Sequence, residues 1–85
     1  MDEIRVLLVD DEQGFLEAMS KRLARRGLSV RMAPGGREAL EMLQQGPSDV
    51  VILDQKMPQM DGLTTLSQIR GRFPEVKVIM LTGHA

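Results

Sequence analysis

The sequence predicts an α/β fold in which helices cover a doubly wound parallel sheet. Short apolar runs bounded by turn residues alternate with amphipathic helical stretches over 85 residues. Alternation at this spacing implies right-handed crossovers and therefore parallel strands. The stretch Val50 to Gly62, VVILDQKMPQMDG, is central. Its apolar, β-branched start reads as a strand buried on both faces. Asp54 follows as the first residue able to reach solvent at the strand's carboxyl end, where open α/β sheets bind their ligands.

Each element has its own signal. Ile4 to Val9, IRVLLV, reads as a first buried strand ending in Asp10-Asp11-Glu12. From Gln13 to Arg26 the pattern is helical, with Phe15, Leu16, Met19 and Leu23 on one stripe. Asp11 and Glu12 suit the positive end of that helix, Arg25 and Arg26 the negative end. Gly27 fits the left-handed residue after the last turn. Leu28 to Ala33 alternates Leu28, Val30 and Met32 against Ser29 and Arg31, an edge strand with a less buried face. Pro34-Gly35-Gly36 is a turn. Arg37 to Gln45 is a second helix, with Ala39, Leu40 and Leu43 apolar and Gly46-Pro47 as its stop. The third strand is Val50 to Asp54. Asp61 is placed to cap a third helix from about Leu63 to Phe73, with Leu63, Leu66 and Ile69 apolar. Val76 to Leu81 is a fourth strand, which delivers Thr82 at its carboxyl end.

Composition narrows the function classes. The chain allows one small domain. Its 11 basic and 12 acidic residues leave a net charge of −1, which directs it to neither nucleic acid nor an anionic membrane. With no cysteine, disulfide frameworks and thiolate metal sites are excluded. No apolar run approaches the roughly 18 residues of a spanning helix. Asp2 and Glu3 stand where a secretory leader would be basic, so a cytoplasmic protein is expected. The two aromatics, Phe15 and Phe73, are too few for a base-stacking platform.

In a parallel sheet all strand carboxyl ends share one rim. Asp10-Asp11, Asp54 and Thr82 therefore converge. If the first and third strands are neighbours, three carboxylates share a pocket and repel one another. A hard divalent cation relieves that repulsion, and Mg²⁺ prefers such oxygen ligands. An acidic cluster with a cation can accept a phosphoryl group, with a carboxylate as nucleophile.

LLVDDE, VVILDQKMPQMDG and VIMLTGHA together resemble the receiver domain of two-component response regulators, over the whole chain and with family-like spacing. The resemblance implies a flavodoxin-like fold, with the strand order 2-1-3-4 as the part of the 2-1-3-4-5 sheet present here. It implies Asp54 as phospho-acceptor, Asp11 as a direct Mg²⁺ ligand, and Asp10 as a ligand through water or a hydrogen bond. Lys56 would offer its backbone carbonyl to the metal. Thr82 would be the switch hydroxyl. The donor would be a histidine on a sensor kinase or phosphotransfer protein, and the domain would act on no phosphoryl group but its own. Phosphorylation would add about −1.5 to −2 of charge and bias the loop after the fourth strand.

Receivers continue into a fourth helix, a fifth strand bearing a lysine, and a fifth helix. Residues 1–85 are therefore expected to be the N-terminal part of a receiver domain, with those last elements absent. Lys77 lies inside the fourth strand and does not replace that lysine. A chain of this extent is expected to be marginally stable. A second copy, in a homodimer or swapped dimer, would then cover the fourth strand's edge, and a truncated receiver acting as an assembly module is the alternative function. That these residues are a piece of a longer chain is the other expectation.

Simpler roles compete at several positions. Asp10-Asp11 could cap the first helix, and Asp54 could be a solvated loop acid. The methionines suit core and loop gaps better than a metal. His84 reads as a surface residue, Arg25-Arg26 as a helix-end pair, Asp61 as a cap, and Gly62 and Gly83 as backbone requirements. A phosphatase of the haloacid dehalogenase kind needs a second aspartate two residues after the nucleophile, which Asp10-Asp11 does not supply. Flavin binding lacks a phosphate-cradling loop after the first strand.

Overall fold

Seven elements form where periodicity places them. The structure, a computed structural model, describes residues 3–81. The order is β1 (Arg5–Val9), α1 (Gln13–Arg25), β2 (Ser29–Ala33), α2 (Gly36–Gln45), β3 (Val50–Asp54), α3 (Gly62–Arg72) and β4 (Lys77–Leu81). The strands are parallel in the order β2-β1-β3-β4, as expected. Element ends differ from expectation by a residue. The largest consequence is that Gly36 and Gly62 are the first residues of helices.

Helix ends follow their chemistry. Gly27 adopts φ +86, and the Leu28 N–H donates to Leu23 O across the end of α1. Asp61 caps α3 by accepting the Thr64 N–H at 2.8 Å. The start of α1 departs from expectation: Glu12 occupies the capping position without a side-chain bond, and no acid lies in the first turn.

The two sheet faces are covered unequally. On one, Leu7, Val9, Val51 and Leu53 pack with Ala39, Leu40 and Leu43 of α2 and Ile69 of α3 in one buried cluster. Val6, Leu8 and Leu16, also buried, lie outside it and belong to the face under α1. Helix α1 packs over β1 and β2. Ile52 aligns with Leu8, and Ile79 with Ile52, so both continue that face beyond α1. Ile52 is half-buried and Ile79 is 52% exposed. The expectation that β3 is buried on both faces therefore holds on the α2–α3 side alone.

Two polar clamps tie the sheet together. Arg5 and Asp49 form a two-armed pair, with Nε–Oδ2 at 3.2 Å and Nη2–Oδ1 at 3.1 Å, and the Arg5 backbone N–H adds a third bond to Asp49. The Arg5 guanidinium, then its N–H, hold the Asp49 carboxyl below its ordinary pKa. Arg31, expected on a solvent face, is half-buried instead. It aligns with Leu7 and reaches the end of α2, where Nη2 donates to Gly46 O (2.8 Å) and Ser48 Oγ (2.9 Å). Helix-terminal carbonyls without intrahelical partners make a guanidinium favourable there.

Candidate functional site

The site follows from register. Val9 pairs with Leu53, so Asp10 and Asp54, one residue further along each strand, emerge side by side on the rim. Both are buried, at 1% and 7% exposure, while Asp11 is exposed. One carboxylate oxygen from each of Asp10, Asp11 and Asp54 lies within 4.8 Å of the other two. The sequence-level convergence is thus present in space for these three.

Backbone bonds hold Asp10 and Asp54 in place. The Asp10 N–H donates to Ala33 O of β2, and Asp10 Oδ1 accepts the Glu12 N–H at 2.9 Å. Asp10 thereby organises the turn into α1 as well as facing the cluster. On the other side, the Gln55 N–H donates to Leu81 O (3.2 Å), and the Gly62 N–H donates to Gln55 O (2.9 Å). Asp54 is therefore flanked by bonds to β4 and to the start of α3.

The loop from β3 to α3 walls one side. Lys56 is exposed and Met57 is buried. Gln59 adopts φ 69, a left-handed conformation that residue type gave no reason to expect. Met60 then packs toward α2, where a Cβ on Gly36 would collide with Thr65 Oγ1 and Met60 Sδ. Asp61 caps α3. The Thr64 backbone N–H, then its side chain, lower the Asp61 pKa. A groove of about 540 Å³ opens beside the carboxylates, lined in part by Asp11, Lys56, Met57, Pro58, Asp61 and Leu63. Leu63, expected on the apolar side of α3, is 57% exposed, and Thr65 occupies the buried position instead. Thr82, Gly83 and His84 lie outside the described residues.

The donor set is three carboxylates with neither sulfur nor imidazole among them. That chemistry fits a hard divalent cation of the Mg²⁺ type and disfavours soft metals. Sequence reasoning located all three acids. It missed the Arg31 clamp, the Gln59 backbone and the close approach of Gly36 to Thr65. The Gly35-Gly36 pair was a visible signal for the last of these.

Comparison with known proteins agrees with the geometry. The family profile described as response regulator receiver domain matches residues 6–85. Response regulator MprA of Mycolicibacterium vanbaalenii is 37% identical over 81 residues, covering 95% of this chain and 35% of its own length. The MprA of Mycobacterium tuberculosis is also 37% identical over 81 residues, with the same coverage. The chain thus spans about a third of the length of these curated relatives. Among solved structures, Vibrio cholerae chemotaxis protein CheY4 superposes with a TM-score of 0.92 at 32% identity, over 99% of this chain and 72% of that one. Thermotoga maritima TrrA, solved in complex with Mg(2+)-BeF, gives 0.90 at 36% identity, over 96% and 71%. A four-stranded parallel sheet in the order 2-1-3-4, an acidic cluster on its rim and a profile match over nearly all residues lead to one conclusion: this chain belongs to the response regulator receiver domain family.

Proposed function

We propose that this domain accepts a phosphoryl group on Asp54 from a histidine of a sensor kinase or phosphotransfer protein. The observation that carries the reading is the gathering of Asp10, Asp11 and Asp54 within 4.8 Å, with Asp54 buried at the end of β3. An Asp54 carboxylate oxygen attacks phosphorus, and the bond from phosphorus to the imidazole nitrogen breaks. The electron pair leaves with the imidazole, which takes up a proton from solvent, and an acyl phosphate remains on Asp54.

Asp11, Asp54 and the Lys56 backbone carbonyl would hold Mg²⁺ directly, with Asp10 acting through water or a hydrogen bond. When bound, Mg²⁺ offsets the mutual repulsion of the carboxylates and the incoming phosphoryl oxygens. Asp10 contributes by fixing the turn that presents Asp11, through its bond to the Glu12 N–H. Thr82 would supply the switch hydroxyl. The bond from the Gln55 N–H to Leu81 O supports this, because it links the acceptor's strand to the residue preceding Thr82. The domain is a regulatory module in two-component signalling in the cytoplasm, without direct nucleic-acid or membrane contact. Among the described residues, no helix is long and apolar enough to cross a membrane.

Incubation with a small acyl phosphate and Mg²⁺ tests the reading by intact mass. A single phosphoryl adduct on the wild type, absent from Asp54→Asn, is the expected result. An adduct that persists in Asp54→Asn overturns the assignment.

One observation favours a second role, assembly through a homodimer that covers β4. Ile79, in the middle of that strand, is 52% exposed. Sedimentation across a concentration series tests it. A chain that stays monomeric and folds cooperatively at every concentration removes this reading.

A further inference from the structure

The amino end of α2 is packed against the loop that follows the acceptor strand. Gly36, the first residue of α2, is buried. A Cβ there would collide with Thr65 Oγ1 and would stand 2.9 Å from Met60 Sδ. These two neighbours differ in how far they can yield. Met60 is half-buried, and its long unbranched side chain can turn aside. Thr65 is fully buried, β-branched and stiff at its first torsion. Its Oγ1 donates to Asp61 O at 2.9 Å, and its N–H donates to the same oxygen at 3.0 Å.

Close contact continues from Thr65 to Asp54. Asp61 leads into Gly62, whose N–H donates to Gln55 O at 2.9 Å and which has no room for a Cβ against Asp54 O. Glycine thus stands at both points where the path from α2 to the acceptor is tightest. Interiors packed this closely have little slack to absorb added atoms. Helix α2 cannot back away freely either. Ala39, Leu40 and Leu43 hold it in the core cluster, and Arg31 bonds to Met42 O and Gly46 O at its far end. A push at Gly36 therefore falls on the first turn of α3, and through it on the backbone of Asp54.

Resting on Asp54 as acceptor, we propose that Gly36 and Thr65 are positioning residues for it. Neither belongs to the acidic cluster. Their contact sets the first turn of α3, and that turn sets the place of Asp54 on the rim. The turn between β2 and α2 thereby governs acceptor geometry from outside the site. A misplacement of about 1 Å can slow a positioned reaction about a hundredfold.

Four measurements on the full chain test the proposal: amide NMR without metal, Mg²⁺ titration, the rate of phosphorylation by acetyl phosphate, and urea unfolding. Gly36→Ala is expected to move the amide signals of Asp54, Gln55 and Gly62. It should also raise the half-saturating Mg²⁺ concentration about threefold and slow the saturating rate about tenfold. Adding Thr65→Ala removes Oγ1 and makes room for the new methyl, and should return both quantities to within about threefold of the wild type. Arg31→Met, at the far end of α2, should lower stability yet leave both within about twofold. Should Gly36→Ala not fold, Thr65→Val and Thr65→Ser decide. Valine removes the bond to Asp61 O and sets a bulkier methyl against Gly36, so the rate should fall about threefold, whereas serine keeps the hydroxyl and the wild-type rate.

Gly36→Ala with wild-type amide signals and rate overturns the proposal and leaves Asp54 as acceptor untouched. So does a double variant as slow as Gly36→Ala, an Arg31→Met loss of rate equal to that of Gly36→Ala, or equal rates for Thr65→Val and Thr65→Ser. Failure of the wild type to form any Asp54-dependent adduct overturns the acceptor reading, and this proposal with it.

Discussion

Gly62 lies directly against the carbonyl of Asp54. A Cβ at position 62 would sit 2.5 Å from Asp54 O and 2.6 Å from the Gln55 Cα, both backbone atoms. The first residue of α3 and the end of β3 are thus packed so closely that no side chain fits between them. Gly62→Ala must displace the backbone that carries Asp54. We expect a loss of about 1–3 kcal/mol in urea unfolding, together with weaker Mg²⁺ binding by titration. Unchanged stability and affinity would mean that the loop yields freely.

The left-handed Gln59 stores strain. A non-glycine residue at φ 69 carries a penalty of roughly 1 kcal/mol that glycine avoids. Part of that gain is offset by the greater freedom of glycine in the unfolded chain. Gln59→Gly should therefore stabilise the domain by at most about 0.5 kcal/mol in denaturant melts. A destabilised variant would show that the Gln59 side chain makes a compensating contribution.

Arg31 joins β2 to the end of α2. Arg31→Met keeps the stem but leaves Gly46 O and the buried Ser48 Oγ without these bonds. A loss of about 2–3 kcal/mol is expected from charge-assisted bonds of this kind. A double-mutant cycle with Ser48→Ala should give a coupling of about 0.5 kcal/mol or more. Strict additivity would argue that the bond to Ser48 is incidental.

Two exposed carboxylates give stability a defined pH dependence. Asp49 and Asp61 both have folded-state pKa values below the ordinary 3.8, because Arg5 and the Thr64 N–H respectively favour their charged forms. The unfolded chain therefore binds more protons over this range. Each contribution is complete above the unfolded pKa and is lost as pH falls through the folded one. Stability should decline below about pH 4. Asp49→Asn and Asp61→Asn should each flatten that decline, and Asp61→Asn should retain its capping bond at neutral pH. Parallel pH profiles for variant and wild type would remove these groups from the acid response.

Mg²⁺ should stabilise the wild type. A ligand at 100 times its dissociation constant adds about 2.7 kcal/mol. In a thermal melt, chelation should reverse this gain, and Asp54→Asn should remove most of it. Asp54→Asn without metal should melt higher than the wild type, because one of the crowded charges is gone. A wild type that does not respond to Mg²⁺ would contradict the metal assignment.

Much of this protein was legible in the sequence because its signals are local. Period-two and period-3.6 patterning placed all seven elements to within a residue or so, since each depends on near neighbours. The Asp61 cap and the left-handed Gly27 were readable because those residue types are selected by the backbone they occupy. The rim location of Asp10, Asp11 and Asp54 followed from parallel strands alone.

Tertiary structure decided what depends on neighbours distant in sequence. That Asp10 and Asp54 stand side by side required β1 to pair with β3, a register that strand composition leaves open. Arg31 looked like a solvent-facing residue in an alternating strand, but the end of α2 supplies it with carbonyls and Ser48. Ile52 lies in a strand expected to be buried on both faces, yet α1 packs over β1 and β2 and leaves it half-buried. Burial and polar satisfaction are settled by which elements meet, and pattern alone determines which elements form.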